Sequence, residues 1–265
     1  GVIAFIIFNS AQKLIFDTEK PLQQAKRWVP LYMFLAGFVL ALVTIKKGLK
    51  HLDLHIGNAD GFIYAAITAI IVALIGKYFI SRIKFDESAA LKTHYANVEK
   101  VFAILMIVTA CAMAFAHGSN DVANAIGPLA AVVSIVDNGG QIAAKSAIAW
   151  WILPLGGFGI VLGLAVFGHK VIATIGTGIT HLTPSRGFAA ELAAACTVVI
   201  ASGAGLPIST TQTLVGAVLG VGMERGIAAI NLGVVRNIVV SWVITLPVGA
   251  GLSIIFFWMM KAIFV

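Results

Sequence analysis

The sequence predicts an all-α fold, a polytopic membrane helical bundle with interrupted helices and a re-entrant helical hairpin. Three observations lead to this prediction. Of the 265 residues, 60% are hydrophobic and only 11% are charged, whereas soluble domains carry about 25% charged residues. Several apolar runs are long enough to cross a bilayer. The net charge of +7 comes from lysines and arginines in short polar stretches, which is typical of loops beside an anionic membrane face and does not indicate nucleic acid as a partner.

In the first part of the chain, segments 28–45 and 59–81 are apolar and long enough to span the membrane. Segment 1–16 is too short to span fully, and 17–27 is a polar connection. Lysines 46, 47 and 50 favour a cytoplasmic position for the end of the first span. Basic residues before that span weaken the asymmetry, so the orientation stays open. Segment 86–100 is strongly hydrophilic and is predicted to be a polar linker.

In the second part, 101–136 is predicted to be a span interrupted by polar residues, and 143–167 is predicted to be the next span. Segment 169–185 is short, and its glycines and threonines favour a partial or re-entrant segment. Segment 232–265 is a long final span, with Pro247 inside it.

Segments 187–204 and 209–222 are each too short to cross a bilayer comfortably. The first is rich in alanine, and small residues favour close contact with neighbouring helices over exposure to lipid. The two are joined by 202–207 and together predict a helical hairpin with its tip inside the membrane. Irregular backbone at that depth is tolerated only where it lines a cavity.

The polar cluster 116–128 lies between two apolar runs and contains one carboxylate, Asp121. An ionisable side chain at membrane depth is costly unless it is paired, so a functional role is the default interpretation. On a helix, Asn120 and Asn124 are four residues apart, and Asp121 and Asn124 are three apart, so these side chains share a face.

Gly118 and the Gly127-Pro128 pair are suited to breaking a helix and freeing backbone groups. Oxygen ligands beside unwound backbone suit a small hard cation such as sodium. We therefore predict a cation site at Asn120, Asp121 and Asn124, with the metal at Asp121 and Asn124 and with Ser119 in support. A structural polar contact between two helices is the alternative.

A helix is predicted to start shortly after Pro207, and its first residues are Ser209, Thr210 and Thr211. A helix start presents unpaired N–H groups and the positive end of the macrodipole, and three hydroxyls add further donors. Such a position suits an anion, and phosphate in particular. The alternative is that Ser209 is simply an N-cap.

Two charged residues outside these motifs are candidates for a supporting role, Glu191 in the hairpin and Arg236 at the start of the last span. They either pair across the bundle, or Arg236 faces the lipid headgroups. The two cysteines lie in apolar runs and are predicted to be packing residues rather than a disulfide. No nucleophile–base pair or metal cluster supports an enzyme, and no cofactor is expected.

Two motifs carry a resemblance to a known family. The stretch Ser119-Asn120-Asp121-Val122-Ala123-Asn124-Ala125 resembles the signature G-A-N-D-V-A-N-A of the inorganic phosphate transporters, and Pro207-Ile208-Ser209-Thr210-Thr211-Gln212 resembles their second signature, P-x-S-T-T-H. The resemblance implies an inverted-repeat transporter that moves phosphate by symport with sodium or protons. It also implies cation ligands from the first motif, and phosphate contacts from Ser209, Thr210, Thr211 and Gln212.

The family is built from two related halves, each with both motifs, and one set is present here. We therefore expect a fragment with three parts: 1–85, the helices after a truncated first repeat; 86–100, the polar linker; and 101–265, the second repeat. Segments 1–8 and 249–256 are identical at four of eight positions, which fits an internal repeat.

Gln212 stands where the family often has histidine, and glutamine cannot titrate. This favours sodium as the coupling ion, with proton coupling, another tetrahedral oxyanion such as sulfate, or an ion channel as alternatives. The expected partners are inorganic phosphate, sodium or a proton, and the lipid bilayer, with a homodimer left open. The expected location is a bacterial inner or plasma membrane.

Overall fold

The computed structural model describes residues 1–45, 58–82, 91–142, 148–204, 206 and 208–264, and the regular structure of these residues is entirely helical. Within the long helices a few side chains, including those of Ser119, Asn120 and Asp121, lie outside the part that the structure describes. The α-helices in chain order are α1 (Val2–Ala11), α2 (Pro21–Val43), α3 (Asn58–Arg82), α4 (Leu91–Asp137), α5 (Ile152–Ala173), α6 (Pro184–Gly203), α7 (Thr210–Glu224) and α8 (Leu232–Phe264). Wider π-helical turns extend α1 over Gln12–Phe16 and α5 over Thr174–Ile179.

Among the described residues, five helices are long and apolar enough to cross a membrane. They are Pro21–Leu42, Ala59–Ser81, Tyr95–Phe115, Ile152–Ile179 and Leu232–Phe264. This confirms the predicted polytopic helical class. The predicted polar connection 17–27 is partly wrong, because α2 already begins at Pro21, where proline is favoured in the first turn since its missing N–H would be unpaired there anyway.

The break predicted at Gly118 and Gly127-Pro128 is not found, because α4 is one helix from Leu91 to Asp137. A continuous helix keeps the backbone groups of this stretch bonded within α4, apart from the Asn124 carbonyl, which has no helical donor because Pro128 lacks an N–H. Helix α4 also takes in the second part of the predicted linker 86–100, while 83–90 lie outside the described residues. Among the described residues, α6 instead ends at Gly203 and α7 begins at Thr210.

Two other predicted boundaries are corrected by α5. The span predicted at 143–167 begins later, because α5 starts at Ile152 with Pro154 in its first turn, and residues 143–147 lie outside the described residues. The separate short segment predicted at 169–185 does not exist, since α5 and its π-helical extension run to Ile179 and α6 begins at Pro184.

Contacts between helix ends show which ends lie on the same side of the bundle. The Tyr95 hydroxyl donates to the Phe16 carbonyl at 3.4 Å, which joins the end of the α1 segment to the start of α4. The start of α4 contacts the start of α6 through Glu99 and Ser185. The N–H of Asn231 donates to the Ile179 carbonyl at 2.8 Å, which joins the start of α8 to the end of the α5 segment.

Helices α2 and α3 are antiparallel. Phe38 stacks on Phe62 near one end of the pair, with ring centroids 6.4 Å apart, and Met33 lies against Gly76 near the other. The ends of α1, α3, α5 and α7 therefore gather with the starts of α2, α4, α6 and α8. We call this side the Ser185 end, and the opposite side, with the turn at 138–140 after α4, the Asn138 end.

The core lies where α1, α2, α4, α6 and α7 meet. One cluster of buried side chains joins α1, α2, α4 and α6, with Phe102 packed between Phe16 and Phe188. A second cluster joins α1, α6 and α7, and much of it consists of alanine and valine. The interior next to the hairpin is thus built from small side chains, which let the helices approach closely.

Candidate functional site

The start of α7 has the geometry of a capped helix N-terminus. Ser209 is extended, with φ −88° and ψ 117°, and its hydroxyl oxygen accepts a hydrogen bond from the N–H of Gln212 at 3.3 Å. Ser209 is therefore an N-cap, as one of the two interpretations of the sequence predicted. A hydroxyl that accepts through its oxygen can still donate its own hydrogen, so capping does not exclude contact with an anion.

The hydroxyls of this motif differ in accessibility. Thr210 is buried, with 1% of its surface exposed, whereas Ser209, Thr211 and Gln212 are exposed. The hydroxyl of Thr213 donates to the Ser209 carbonyl at 2.8 Å, so it is used within the helix. In this conformation a solute can reach the groups of Ser209, Thr211 and Gln212, while Thr210 packs into the bundle.

The cluster on α4 is presented by an unbroken helix. Residues 120 and 124 lie one turn apart on this helix, as the sequence predicted, and Asn124 is exposed. His117 is half-buried. The unwound carbonyl groups expected beside the cation ligands are not present here, because the backbone of α4 is helical throughout.

Helices α4 and α6 run in parallel, and their contacts bring the two motifs to the same height. The Thr109 hydroxyl on α4 donates to Oε2 of Glu191 on α6 at 2.7 Å. One helical turn earlier, Met106 packs against Gly187. Both helices rise about 1.5 Å per residue, so counting twelve residues onward from the Thr109–Glu191 contact puts the backbone of Asp121 on α4 level with that of Gly203 at the end of α6. The α4 cluster thus lies level with the hairpin tip, and α7 begins just beyond that tip.

The hydrogen-bond partner of Glu191 is Thr109 and not Arg236, the partner that the sequence suggested. Its carboxylate accepts from Thr109, which is 2% exposed. Arg236 is exposed on α8, and in the part of the chain that the structure describes no ion pair joins the two. The sequence left open whether Arg236 pairs with Glu191, and the structure shows that the two do not pair in the described residues.

Sequence reasoning missed a second contact between α4 and α6. Glu99 was assigned to the polar linker, yet its carboxylate accepts from the N–H of Ser185 at 2.9 Å and from the Ser185 hydroxyl at 2.7 Å. It therefore caps the start of α6, where a negative charge is favoured by the helix dipole. The Pro184-Ser185 pair was a usable signal for a helix start. Its partner Glu99 could not be predicted in the same way, because it lies 86 residues away in the chain.

The two motifs carry groups whose chemistry suits a small anion and a small cation. The exposed hydroxyls at a helix N-terminus provide donors for an oxyanion. The amide and carboxylate residues of α4, at the same height, are oxygen ligands. No group of three or more histidine, cysteine or acidic side chains able to hold a metal ion occurs among the described residues.

A bundle of membrane-spanning helices with a short helical hairpin places the chain in the class of polytopic helical membrane proteins, and a hairpin of this kind is a feature of many secondary transporters. Residues 1–253 match the model of the phosphate transporter family, and the chain belongs to this family. The predicted family and the predicted fold type are thereby confirmed.

Individual relatives agree with this assignment. A protein of Haemophilus influenzae with the provisional name phosphate permease is 58% identical over 267 residues, which cover 100% of this chain and 63% of that protein. Inorganic phosphate transporter 2-1, chloroplastic, of Arabidopsis thaliana is 39% identical over 281 residues, covering 99% of this chain and 48% of that protein. These relatives are named as a permease and a transporter, in agreement with the prediction that the chain is not an enzyme.

A solved structure, described as the sodium-dependent phosphate transporter, is similar to this chain with a TM-score of 0.84 and 37% sequence identity. The similarity covers 98% of this chain and 63% of the other. The chain thus spans less than two thirds of the length of these similar proteins.

Proposed function

We propose that the protein of this chain is a secondary active transporter that moves inorganic phosphate across a membrane together with a coupling cation, sodium. The observation that carries the proposal is the common height of two motifs in a member of the phosphate transporter family: the start of α7, with exposed hydroxyls, and the amide and carboxylate cluster of α4. The proposed phosphate ligands are Ser209, Thr211 and Gln212, with Thr210 reached only if the hairpin rearranges.

The two proposed sites support each other electrostatically. A phosphate anion at the start of α7 would be repelled by the carboxylate of Asp121 if that carboxylate stood alone. A sodium ion held by Asp121, Asn124 and Asn120 would neutralise that carboxylate and remove the repulsion, so each ligand would favour the binding of the other. This mutual stabilisation is the physical requirement for symport, because neither ion then occupies the site strongly by itself.

Sodium is proposed ahead of the proton for two reasons. Gln212 cannot titrate, so a proton relay through that position is excluded by its chemistry. The similar solved structure is described as a sodium-dependent phosphate transporter. A proton-coupled phosphate transporter, a transporter of sulfate or another tetrahedral oxyanion, and an ion channel are the alternatives that the experiment below separates.

The remaining parts of the proposal concern the whole protein. We propose a bacterial inner or plasma membrane as its location and keep a homodimer open. We also propose the division into 1–85, the linker 86–100 and a second repeat at 101–265. The structure adds that the linker overlaps the start of α4. Supporting roles for Ser119, Glu191 and Arg236 remain proposals, with Glu191 acting through Thr109 rather than through Arg236.

The test is uptake of labelled phosphate by the full-length protein in proteoliposomes, with a sodium gradient, a proton gradient or neither. Saturable uptake that requires the sodium gradient is expected, and sulfate in excess should not compete. Current without saturation would indicate a channel instead. Asp121→Asn, which removes the charge and keeps the shape, should abolish sodium-driven uptake while the protein still folds. Normal sodium-driven uptake by this variant would remove Asp121 from the cation site.

The start of α7 offers a matched pair of substitutions for the anion site. Thr211→Val removes an exposed hydroxyl, and a hydrogen bond to a charged group is worth about 1.5–3 kcal/mol. Phosphate affinity should therefore fall by roughly ten- to a hundredfold. Thr213→Val is the control, since its hydroxyl already donates to the Ser209 carbonyl. Equal affinities in the two variants would mean that phosphate binds elsewhere.

A further inference from the structure

The start of α7 carries a carboxamide that the helix does not use. Ser209 and Gln212 have the spacing of a capping box, in which each side chain bonds to the backbone N–H of the other residue. Half of the box is present, because the Gln212 N–H donates to the Ser209 hydroxyl oxygen at 3.3 Å. In the part of the chain that the structure describes, the exposed Gln212 carboxamide itself makes no hydrogen bond. It is therefore available to a ligand.

The other groups at this helix start mostly donate, or already accept. First-turn N–H groups such as that of Thr211 have no acceptor within the helix, and the carbonyl groups of α7 point away from them, towards the Ser185 end. The Ser209 carbonyl accepts from the N–H and from the hydroxyl of Thr213, at 3.0 and 2.8 Å. The Gln212 carboxamide adds a side-chain oxygen that can only accept, next to the exposed hydroxyl of Thr211.

Two tetrahedral oxyanions of similar size differ in a property that an acceptor can detect. Near neutral pH, inorganic phosphate keeps at least one proton and so has a P–OH donor, whereas sulfate has none. A cluster of donors binds the oxygens of both anions. An acceptor in the site receives the P–OH hydrogen of phosphate, but it faces an oxygen lone pair of sulfate and stays unpaired, which is costly.

We propose that Gln212 determines a preference for phosphate over sulfate, with its carboxamide oxygen accepting a hydrogen bond from the P–OH group of the bound anion. This inference rests on the proposed function, because it assigns a role within the same anion site. The amide N–H groups of Gln212 can donate to a second phosphate oxygen at the same time. A carboxylate would accept as well, but its negative charge would repel the anion.

Glutamine suits this role better than the histidine that often stands at this place in the family. A histidine ring nitrogen accepts only while it is unprotonated, and a protonated ring has donors alone. The Gln212 oxygen accepts at every pH, because a carboxamide does not titrate. The preference is thus built from a group that is always neutral.

The test measures competition with labelled phosphate for uptake by the full-length protein in proteoliposomes, near neutral pH and at a fixed sodium gradient. The competitors are unlabelled phosphate, sulfate and monofluorophosphate, in which fluorine replaces a hydroxyl and no P–OH group remains near neutral pH. In the unaltered protein, sulfate and monofluorophosphate should each compete roughly tenfold more weakly than phosphate, or weaker still, which is the effect of one hydrogen bond. Monofluorophosphate that competes as well as phosphate would overturn the proposal without any variant.

Gln212→Met tests the carboxamide directly. This substitution keeps the length and the neutrality of the side chain, so a preference that depends on the net charge of the anion is unchanged. The ratio of the affinities for phosphate and sulfate should fall by roughly tenfold, and the ratio for phosphate and monofluorophosphate by a similar factor. Ratios equal to those of the unaltered protein would contradict the proposal.

Thr211→Val is the matched control, because it removes an exposed hydroxyl whose hydrogen all three anions can accept. Its affinities should fall by similar factors, so that the ratios stay the same. If Gln212 only completes the capping box, Gln212→Met weakens all anions alike, as the control does, and the proposal is wrong. Absence of phosphate uptake by the unaltered protein would overturn the proposed function and this inference together. Saturable uptake with unchanged ratios in Gln212→Met would overturn this inference alone.

Discussion

The α6–α7 hairpin and helix α8 follow one another in the chain and have opposite environments. Helix α6 is rich in alanine and moderately hydrophobic, yet most of its residues are buried, among them Ala189, Ala193 and Ala194. Helix α8 consists largely of big apolar side chains, and none of its described residues is buried. Within this chain, which spans less than two thirds of its relatives' length, the more apolar of these two regions is therefore not the one in the core.

The difference has a physical cause. Lipid tails are as apolar as leucine, so a large apolar side chain gains little by moving from lipid to protein. Helices associate where small residues allow close approach and where polar groups bond to one another. The hairpin provides both, since Gly187 lies directly against Met106 and Glu191 accepts a hydrogen bond from Thr109 of α4. Helix α8 provides neither over most of its length, and its hydroxyls bond to its own backbone.

The largest expected difference between the two regions concerns a buried and an exposed leucine. Leu192→Ala in α6 removes a side chain that is 2% exposed, whereas Leu252→Ala in α8 removes one that is 49% exposed. The first change leaves a cavity and should lower the free energy of unfolding by about 2–5 kcal/mol. The second should stay within about 0.5 kcal/mol. Denaturation of both variants in the same lipid–detergent mixture measures the difference, and equal losses would mean that α8 is packed against protein.

An intermediate effect is expected from the polar contact of the hairpin. Thr109→Val keeps the shape but takes away the donor to the Glu191 carboxylate, and a hydrogen bond to a charged group contributes about 1.5–3 kcal/mol. Thr245→Val in α8 is the matched control, because the Thr245 hydroxyl donates to the Ser241 carbonyl of its own helix. Chemical denaturation of the two variants measures the difference between their free energies of unfolding. If Thr109→Val is as stable as its control, the contact between α4 and α6 does not hold the hairpin.

The smallest expected effect concerns two serines. Ser209→Ala removes the hydroxyl oxygen that caps α7, and the loss of an N-cap typically costs about 1 kcal/mol. Ser253→Ala removes a hydroxyl that donates to the Gly249 carbonyl within α8, and this change should stay within about 0.5 kcal/mol. Thermal unfolding without phosphate separates the structural effect from any loss of binding. A variant Ser209→Ala that melts like Ser253→Ala would mean that α7 needs no side-chain cap.

The sequence by itself determined the class of the protein and much of its local structure. Low charge and long apolar runs predict the membrane helices, and α3, α7 and α8 lie within two residues of the predicted segments. The two motifs carried the family resemblance that residues 1–253 confirm. These features depend on neighbouring residues, whose spacing and polarity a sequence displays directly.

Only the tertiary structure decided which distant residues meet. Glycine and proline predicted a break in α4, but a continuous helix keeps its backbone hydrogen bonds. Glu191 meets Thr109 and not Arg236, and Glu99 caps α6. The common height of Asp121 and the hairpin tip follows from the packing of α4 against α6. Such relations cannot be predicted from spacing, because they depend on the depth and direction at which each helix packs against its neighbours.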